Sequence, residues 1–231
     1  IKERLKERGI AVESCNGSLL NEPWTIETKT GGPYKVFTPY WRAILGKGGI
    51  HEPSNAHKSL PPAPPLNSEN QTDWGLHPHG PDWSHGLANR WTPGEDYARD
   101  RLRRFLDGKI AGYHEKRDFP GDHGTSRMSP HLHWGEISPR QIWHMAVDAH
   151  GHPSKTDVTE PYLREIGWRE FSYHLLYHFP DLPTDPLNQK FSDFPWREDA
   201  DDLKAWQYGN TGVPIVDAGM RELYETGWQH N

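Results

Sequence analysis

The chain has very little of the material from which disulfide frameworks and membrane spans are built. Its 231 residues include a single cysteine, Cys15, and hydrophobic residues make up only 33% of the sequence. One cysteine excludes an intrachain disulfide network and a multi-cysteine zinc site, which fits a reducing cytoplasm. No apolar run approaches the roughly 18–20 residues of a membrane span, and no segment resembles a signal peptide. The sequence therefore predicts a cytoplasmic protein without a membrane partner.

Basic residues are outnumbered by acidic ones, with 26 Lys and Arg against 32 Asp and Glu. The formal net charge is −6 at pH 7, so any nucleic-acid surface has to be a local patch on an acidic body. Aromatic residues, by contrast, reach 12% of the sequence and include 11 Trp. Because disordered chains lack such residues, the composition indicates a folded protein with an aromatic-rich core.

The first 45 residues carry signals of helix and then of strand. Residues 1–8 are charged with Leu5 as an apolar anchor, and Gly9 is a suitable helix stop. Residues 10–12 form a short β-branched run, and residues 34–38 also have strand composition. The pattern predicts a helix followed by short strands, but it is too brief to define a whole sheet.

Residues 46–93 have neither helical nor strand periodicity. Residues 61–65 are polyproline-like, and Gly, Ser, Asn and His fill most of the remainder. This composition predicts a long linker. Trp74, Trp83 and Trp91 are unusual in a free tether, so we expect the linker to lie against a domain surface with these rings buried.

From residue 94 onward the pattern becomes helical and predicts an all-α fold for this part. Ser138 is suited to cap a helix with Pro139 at its first position, and Thr159 is expected to cap the longest helix. The predicted helices cover residues 95–106, 138–149, 159–177, 202–208 and 216–226.

Glu165, Trp168 and Arg169 are spaced i, i+3 and i+4, which predicts that they share one helix face. One interpretation is an ordinary ion pair beside a half-buried Trp. The other is a nucleic-acid platform, in which the indole stacks on an unpaired base, the guanidinium contacts phosphate and the carboxylate accepts from base N–H groups. The spacing leaves both open.

A second candidate is the loop Thr125-Ser126-Arg127-Met128-Ser129, with Arg117 shortly before it. Three hydroxyls and their neighbouring amides in a short turn can hold a diphosphate. A helix cap or a solvated loop is the alternative.

Histidines occur in three alternating pairs, His77/His79, His131/His133 and His150/His152. A zinc site needs three or four convergent ligands, and no Cys pair accompanies these residues. Phosphate-loop, dinucleotide-fingerprint and zinc-protease motifs are absent as well. We therefore predict no metal site.

Three blocks of the sequence, taken together, are a far more specific signature than any of the single motifs. Residues 206–231, 165–171 and 125–130 resemble the signature of the DNA photolyase/cryptochrome family, and the match extends from about Leu19 to the last residue. Glu165 with Trp168 is most like class I cyclobutane pyrimidine dimer photolyases, since six-four photolyases generally have Gln at that position. The resemblance implies light-driven repair of pyrimidine dimers in DNA. A cryptochrome-type photoreceptor, or a helical binding module without photochemistry, is the alternative.

The same resemblance implies a mainly α fold and a division of the chain. Residues 1–45 would end an α/β antenna domain, residues 46–93 would be the linker, and residues 94–231 would begin a helical FAD-binding domain. The chain would then be a piece of a longer monomeric protein, inactive alone. The whole protein would bind FAD and a second antenna chromophore of folate or deazaflavin type, and damaged DNA would be its partner.

Individual roles also follow from the resemblance. Residues implied to border FAD or hold its diphosphate are Tyr113, Thr125, Ser126, Arg127, Met128, Ser129, Tyr162 and Arg169. Residues implied to contact the flipped lesion or the DNA backbone are Glu165, Trp168, Arg169, Trp228, Asn231 and Arg117. Trp196 matches the outermost tryptophan of an electron-transfer chain.

Overall fold

The computed structural model describes residues 1–56, 58–62, 65, 67–76 and 80–230. All regular secondary structure within these ranges is helical, as the mainly α prediction requires. The α-helices are α1 (Lys2–Glu7), α2 (Phe37–Gly46), α3 (His85–Arg90), α4 (Glu95–Gly108), α5 (Tyr113–Lys116), α6 (Ser129–Trp134), α7 (Pro139–His150), α8 (Glu160–His178), α9 (Ala200–Gln207) and α10 (Pro214–Thr226). Short 3-10 turns cover Pro23–Thr25, Gln71–Trp74, Ile110–Gly112 and Gln189–Phe191.

The chain forms two compact units that alternate along the sequence. The first comprises Ile1–Pro53 and Gly94–Ser192, and the second comprises Ser54–Pro93 and Asp193–Asn231. The first unit therefore contains α1, α2 and α4 to α8, whereas the second contains α3, α9 and α10. The domain boundaries at residues 45 and 93 stay a prediction.

The two strand predictions are wrong. Residues 10–12 adopt no regular structure, and Phe37 begins α2 instead of ending a strand. The reason is tertiary burial: Phe37, Tyr40, Trp41 and Ile44 recur at helical spacing, and all four are buried. Burial of one helical face outweighs the β-type composition of the residues before it.

The helices predicted after residue 94 are confirmed, with their ends displaced by a few residues. Ser138 caps α7 through a capping box: its hydroxyl accepts from Gln141 N at 3.1 Å, and Ser138 N donates to the Gln141 side chain at 2.8 Å. Thr159 precedes α8 but does not cap it with its side chain. Its hydroxyl donates to Gly151 O at 2.8 Å, which ties α8 to the end of α7 instead.

The joint between α2 and α8 is the part of the core that bears most on function. Trp41 lies directly on the α8 backbone, because Gly167 has no side chain to hold it away. A Cβ built on Gly167 would approach Trp41 Cε3 to 2.5 Å. One helical turn further, Tyr40 packs on Phe171 and His174, with ring centroids 5.1 and 4.9 Å apart. These contacts fix how α2 and α8 are placed relative to each other.

Replacing Gly167 by Ala is expected to lower the free energy of unfolding by about 1–2 kcal/mol. Overpacking against Trp41 costs about 1–3 kcal/mol, and the better helix propensity of Ala offsets up to about 1 kcal/mol of it. Urea unfolding followed by circular dichroism measures the change. Gly108→Ala is the matched control, because Gly108 ends α4 with no atom within 4 Å of an added Cβ. Equal urea midpoints for Gly167→Ala and Gly108→Ala would contradict the close approach of Trp41 to the α8 backbone.

The segment predicted to be a linker contains α3, and its tryptophans differ in burial. The predicted burial is wrong for Trp74 and Trp83, which are 54% and 68% exposed. Trp91 is half-buried, and its indole N–H donates to Thr226 O at the end of α10, at 2.7 Å. The indole N–H of Trp74 also donates, to Glu69 Oε2 at 2.9 Å, so burial and not hydrogen bonding distinguishes Trp91 from Trp74. Among the helices of the described ranges, none is long and apolar enough to cross a membrane.

Candidate functional site

The site begins with an ion pair between α5 and α8. Arg117, directly after α5, donates from Nη1 to Glu165 Oε1 at 2.5 Å, and its Nε lies 3.5 Å from Asp118 Oδ1. Burial works against the charge of Arg117, but the hydrogen bond and the charge of Glu165 outweigh it and raise the pKa of the guanidinium. The pair keeps a carboxylate and a guanidinium together at a partly exposed position.

Buried tyrosines form the wall next to this pair. The Tyr113 and Tyr162 rings meet edge to face with centroids 5.5 Å apart, and both rings contact Phe105. Arg117 lies over the Tyr113 ring at 5.8 Å. Burial, and secondly the charge of Glu165, raises the pKa of Tyr113 to about 12. Burial likewise raises the pKa of Tyr162 above its usual value, so both phenols stay neutral at physiological pH.

The hydroxyl-rich loop 125–129 lies against the same wall. Ser126 approaches the Tyr162 hydroxyl, and Met128 is buried. Arg127 has φ of 55°, a left-handed conformation that costs a non-glycine residue about 1–3 kcal/mol and that clusters at functional sites. Gly124 fixes the approach of the loop to α5, since a Cβ there would lie 2.6 Å from Lys116 Cβ. The loop therefore has a defined, strained shape.

Trp168 projects from α8 with one ring face covered. Its indole stacks on Phe37 with centroids 3.7 Å apart and planes 10° from parallel. The side chain nevertheless stays 43% exposed, a large fraction for an indole in a helix of the core. The stacking partner comes from α2, more than a hundred positions away, and nothing in the helical spacing of residues 165–169 indicates it.

Arg169 has contacts of a different kind. It donates from Nη1 to Ser18 O at 2.7 Å, lies 3.4 Å from Glu170 Oε1, and covers the Tyr173 ring at 4.8 Å. Glu165 pairs with Arg117, so the i,i+4 ion pair that the spacing allowed is not the one that forms. The three residues expected to share one face thus contact three different parts of the first unit.

Sequence reasoning missed a buried polar stripe on α8. Glu170 accepts from Leu20 N at 2.8 Å and from Asn21 N at 3.4 Å, and His174 Nε2 accepts from Tyr34 N at 3.1 Å. Burial raises the pKa of Glu170 to about 7, although the two amides and Arg169 favour its charged form. Burial, and secondly His178, lowers the pKa of His174. The sequence contained one signal for this stripe: Glu170 and His174, both titratable, are spaced i,i+4 among apolar residues of α8.

The second unit holds the remaining candidates. Trp196 is 76% exposed, with its ring 4.7 Å from Phe194, whereas Trp228 is buried at 8% exposure. Asn231 lies outside the described residues.

The second unit also contains a carboxylate that sequence reasoning did not single out. Asp217 on α10 accepts from Thr211 N, Thr211 Oγ1 and Gly212 N at 2.7, 2.6 and 3.0 Å. The Thr211 hydroxyl chiefly lowers the pKa of this carboxyl. Asp217 thereby fixes the Gly-rich turn that leads into α10.

The histidine pairs lead to ordinary polar contacts. His131 Nδ1 contacts Glu136 Oε2, and His150 Nε2 contacts Leu106 O at 2.8 Å. Within the part of the chain that the structure describes, no three His, Cys, Asp or Glu side chains come together as a metal site would require. His77 and His79 lie outside the described residues.

Known proteins are similar to this chain over its whole length. Residues 162–231 match the FAD binding domain of DNA photolyase, and residues 1–64 match DNA photolyase. A deoxyribodipyrimidine photo-lyase of Agrobacterium fabrum is 47% identical over 233 residues, covering 100% of this chain and 48% of the relative. Cryptochrome-2 of Arabidopsis thaliana is 36% identical over 248 residues, covering 100% of this chain and 40% of the relative.

A solved structure agrees with the sequence relatives. A bacterial class III photolyase from Agrobacterium tumefaciens has a TM-score of 0.89 and 46% identity, and the match covers 100% of this chain and 48% of that one. The helical fold and the match to an FAD binding domain define the class, which is that of proteins with a helical FAD-binding domain. Within it, the chain belongs to the DNA photolyase/cryptochrome family.

The chain spans about half the length of the relatives that it matches. The similar solved structure is described as class III, so the class I subdivision expected from the sequence has no support from it.

Proposed function

We propose that the protein carrying this chain repairs cyclobutane pyrimidine dimers in DNA, with blue light as the energy source and bound FAD as the electron donor. The observation that supports this most is the half-exposed indole of Trp168, which stacks on Phe37 through one face and lies one helical turn from the Glu165 carboxylate. An indole face and a carboxylate suit a flipped base, which needs a stacking surface and an acceptor for its N–H groups.

Other residues of the first unit fit a bound flavin. When bound, FAD supplies the light-excited electron that opens the dimer ring. The buried rings of Tyr113 and Tyr162 offer an apolar wall that excludes water. The hydroxyls of Thr125, Ser126 and Ser129, with the strained backbone at Arg127, offer donors for the diphosphate. Met128 anchors this loop in the core.

Glu165 and Trp168 are the central residues of the proposed contact with damaged DNA. Arg117 holds the Glu165 carboxylate in place through the ion pair, and a phosphate contact by Arg117 would compete with that pair. The contacts of Arg169 with Ser18 and Glu170 favour a structural role over the flavin or lesion role implied by its position.

The remaining proposed site residues belong to the second unit. The exposure of Trp196 suits the solvent end of an electron-transfer chain, because such an end has to meet a reductant in solution. Trp228 and Asn231 remain proposed DNA-binding residues. A second chromophore of folate or deazaflavin type, a monomeric state and a cytoplasmic location complete the proposal for the whole protein.

Repair under illumination tests the function directly. The protein carrying this chain is purified with its flavin, reduced, mixed with an oligonucleotide containing one thymine dimer and illuminated with blue light. We expect dimers to disappear in the light and to persist in the dark. Flavin absorbance without repair would contradict the repair function and favour a photoreceptor of the cryptochrome kind. Absence of bound flavin would contradict both.

A further inference from the structure

The stacked pair of Phe37 and Trp168 joins two segments that are distant in sequence. Phe37 is buried at 4% exposure, and its ring lies parallel to the indole at a separation of 3.7 Å. The pair differs from the many edge-to-face contacts of this core, such as that of Phe171 with the same indole at 6.0 Å and 71°. This parallel contact at van der Waals distance places the Phe37 ring against one face of Trp168.

Phe37 has further neighbours besides Trp168. Its ring stacks on Trp41 with centroids 6.3 Å apart and planes 14° from parallel, and Arg164 lies over it at 5.3 Å. Trp41 in turn rests on the α8 backbone at Gly167, which directly precedes Trp168. Phe37 thus has Trp41 as a nearly parallel neighbour on one side and Trp168 stacked directly on it, and Trp168 is the only partly exposed ring of the three.

We propose that Phe37 is a positioning residue for Trp168. It holds the indole in one orientation and leaves a single face for one flipped base. The inference deepens the proposed function and rests on it. An unsupported indole on a helix surface can change rotamer, and ordering it on binding reduces affinity. A ring already fixed by Phe37 avoids that loss.

Three variants of the FAD-loaded protein carrying this chain test the proposal. Phe37→Leu keeps an apolar side chain without the flat ring, and Phe37→Tyr keeps the ring. Phe171→Leu is the matched control, since Phe171 is buried against the same indole but only at its edge. If Phe37→Leu does not fold, Phe37→Met takes its place, because Met adapts to irregular core space.

The first measurement reports the orientation of the ring rather than activity. Tryptophan is replaced by 5-fluorotryptophan, and the fluorine resonance of Trp168 is identified by its loss in Trp168→Phe. We expect this resonance to shift and broaden in Phe37→Leu, and to stay near its original position in Phe37→Tyr and Phe171→Leu. An unchanged resonance in Phe37→Leu would overturn the positioning role.

The second measurement is affinity for DNA with and without a thymine dimer. We expect Phe37→Leu to bind dimer-containing DNA roughly 3- to 10-fold more weakly, the range for ordering one side chain, with undamaged DNA unaffected. Phe37→Tyr should restore the affinity. An equal loss in Phe171→Leu would reduce Phe37 to general packing and overturn the inference. If the parent shows no preference for dimer-containing DNA, the proposed function itself fails, whereas the fluorine resonance still decides whether Phe37 orients the indole.

Discussion

Glu170→Gln is expected to stabilise the chain by about 2–3 kcal/mol more at pH 8 than at pH 5. Burial raises the pKa of Glu170 to about 7, so the folded state holds this proton more tightly than the unfolded state does. The stability that the protonated group contributes is complete below about pH 4.5 and is lost as pH rises through about 7. Gln keeps an acceptor for Leu20 N and never ionises, so the variant escapes this loss.

Neighbouring groups set the controls for this experiment. Arg169 and Arg140 favour the charged carboxylate, and the lowered pKa of His174 makes its contribution fall at low pH instead. These groups are common to both proteins, so the difference between wild type and variant isolates Glu170. Urea unfolding between pH 5 and pH 8 measures it, with Glu160→Gln at the start of α8 as the control. A difference that does not change with pH would contradict the prediction.

Trp168→Ala is expected to weaken binding of dimer-containing DNA by about 1–3 kcal/mol, the range for loss of one base–aromatic stack. Flavin content should stay near that of the parent, because Tyr113, Tyr162 and the loop 125–129 do not depend on this ring. Fluorescence anisotropy with a labelled oligonucleotide gives the affinity, and the flavin absorbance gives the cofactor content.

The control for this substitution has to account for lost packing on Phe37. Trp24→Ala removes an indole of similar exposure, 52% against 43%, from the same unit. We expect this variant to bind damaged DNA as the parent does. If both variants bind as tightly as the parent, Trp168 is a packing residue and the platform interpretation is wrong.

Local signals explain why the later helices could be read from the sequence. Ser138, Pro139 and Gln141 lie within four positions of one another and define the start of α7 without help from elsewhere. The same is true of the apolar stripe of α4, where Ala98, Leu102 and Phe105 recur at helical spacing. Such features need only a few neighbouring residues to be recognised.

Contacts between distant segments could not be predicted in this way. Leu20 meets Glu170 across 150 residues, and Arg117 meets Glu165 across 48. In α2, composition favoured a strand, and only the burial of one face against α8 explains the helix. For the candidate site, family motifs indicated the residues, but the motifs carry no information about the ring that supports Trp168.

The distance between Leu20 and Glu170 has a consequence during synthesis of the protein. A ribosome adds about 5–20 residues per second, so the 150 residues between them take roughly 8–30 seconds to appear. For most of that interval, once residues 37–46 have been added, the buried face of α2 with Phe37, Tyr40 and Trp41 has no α8 to cover it. The nascent chain therefore presents an aromatic surface suited to chaperone binding for far longer than one helix takes to form.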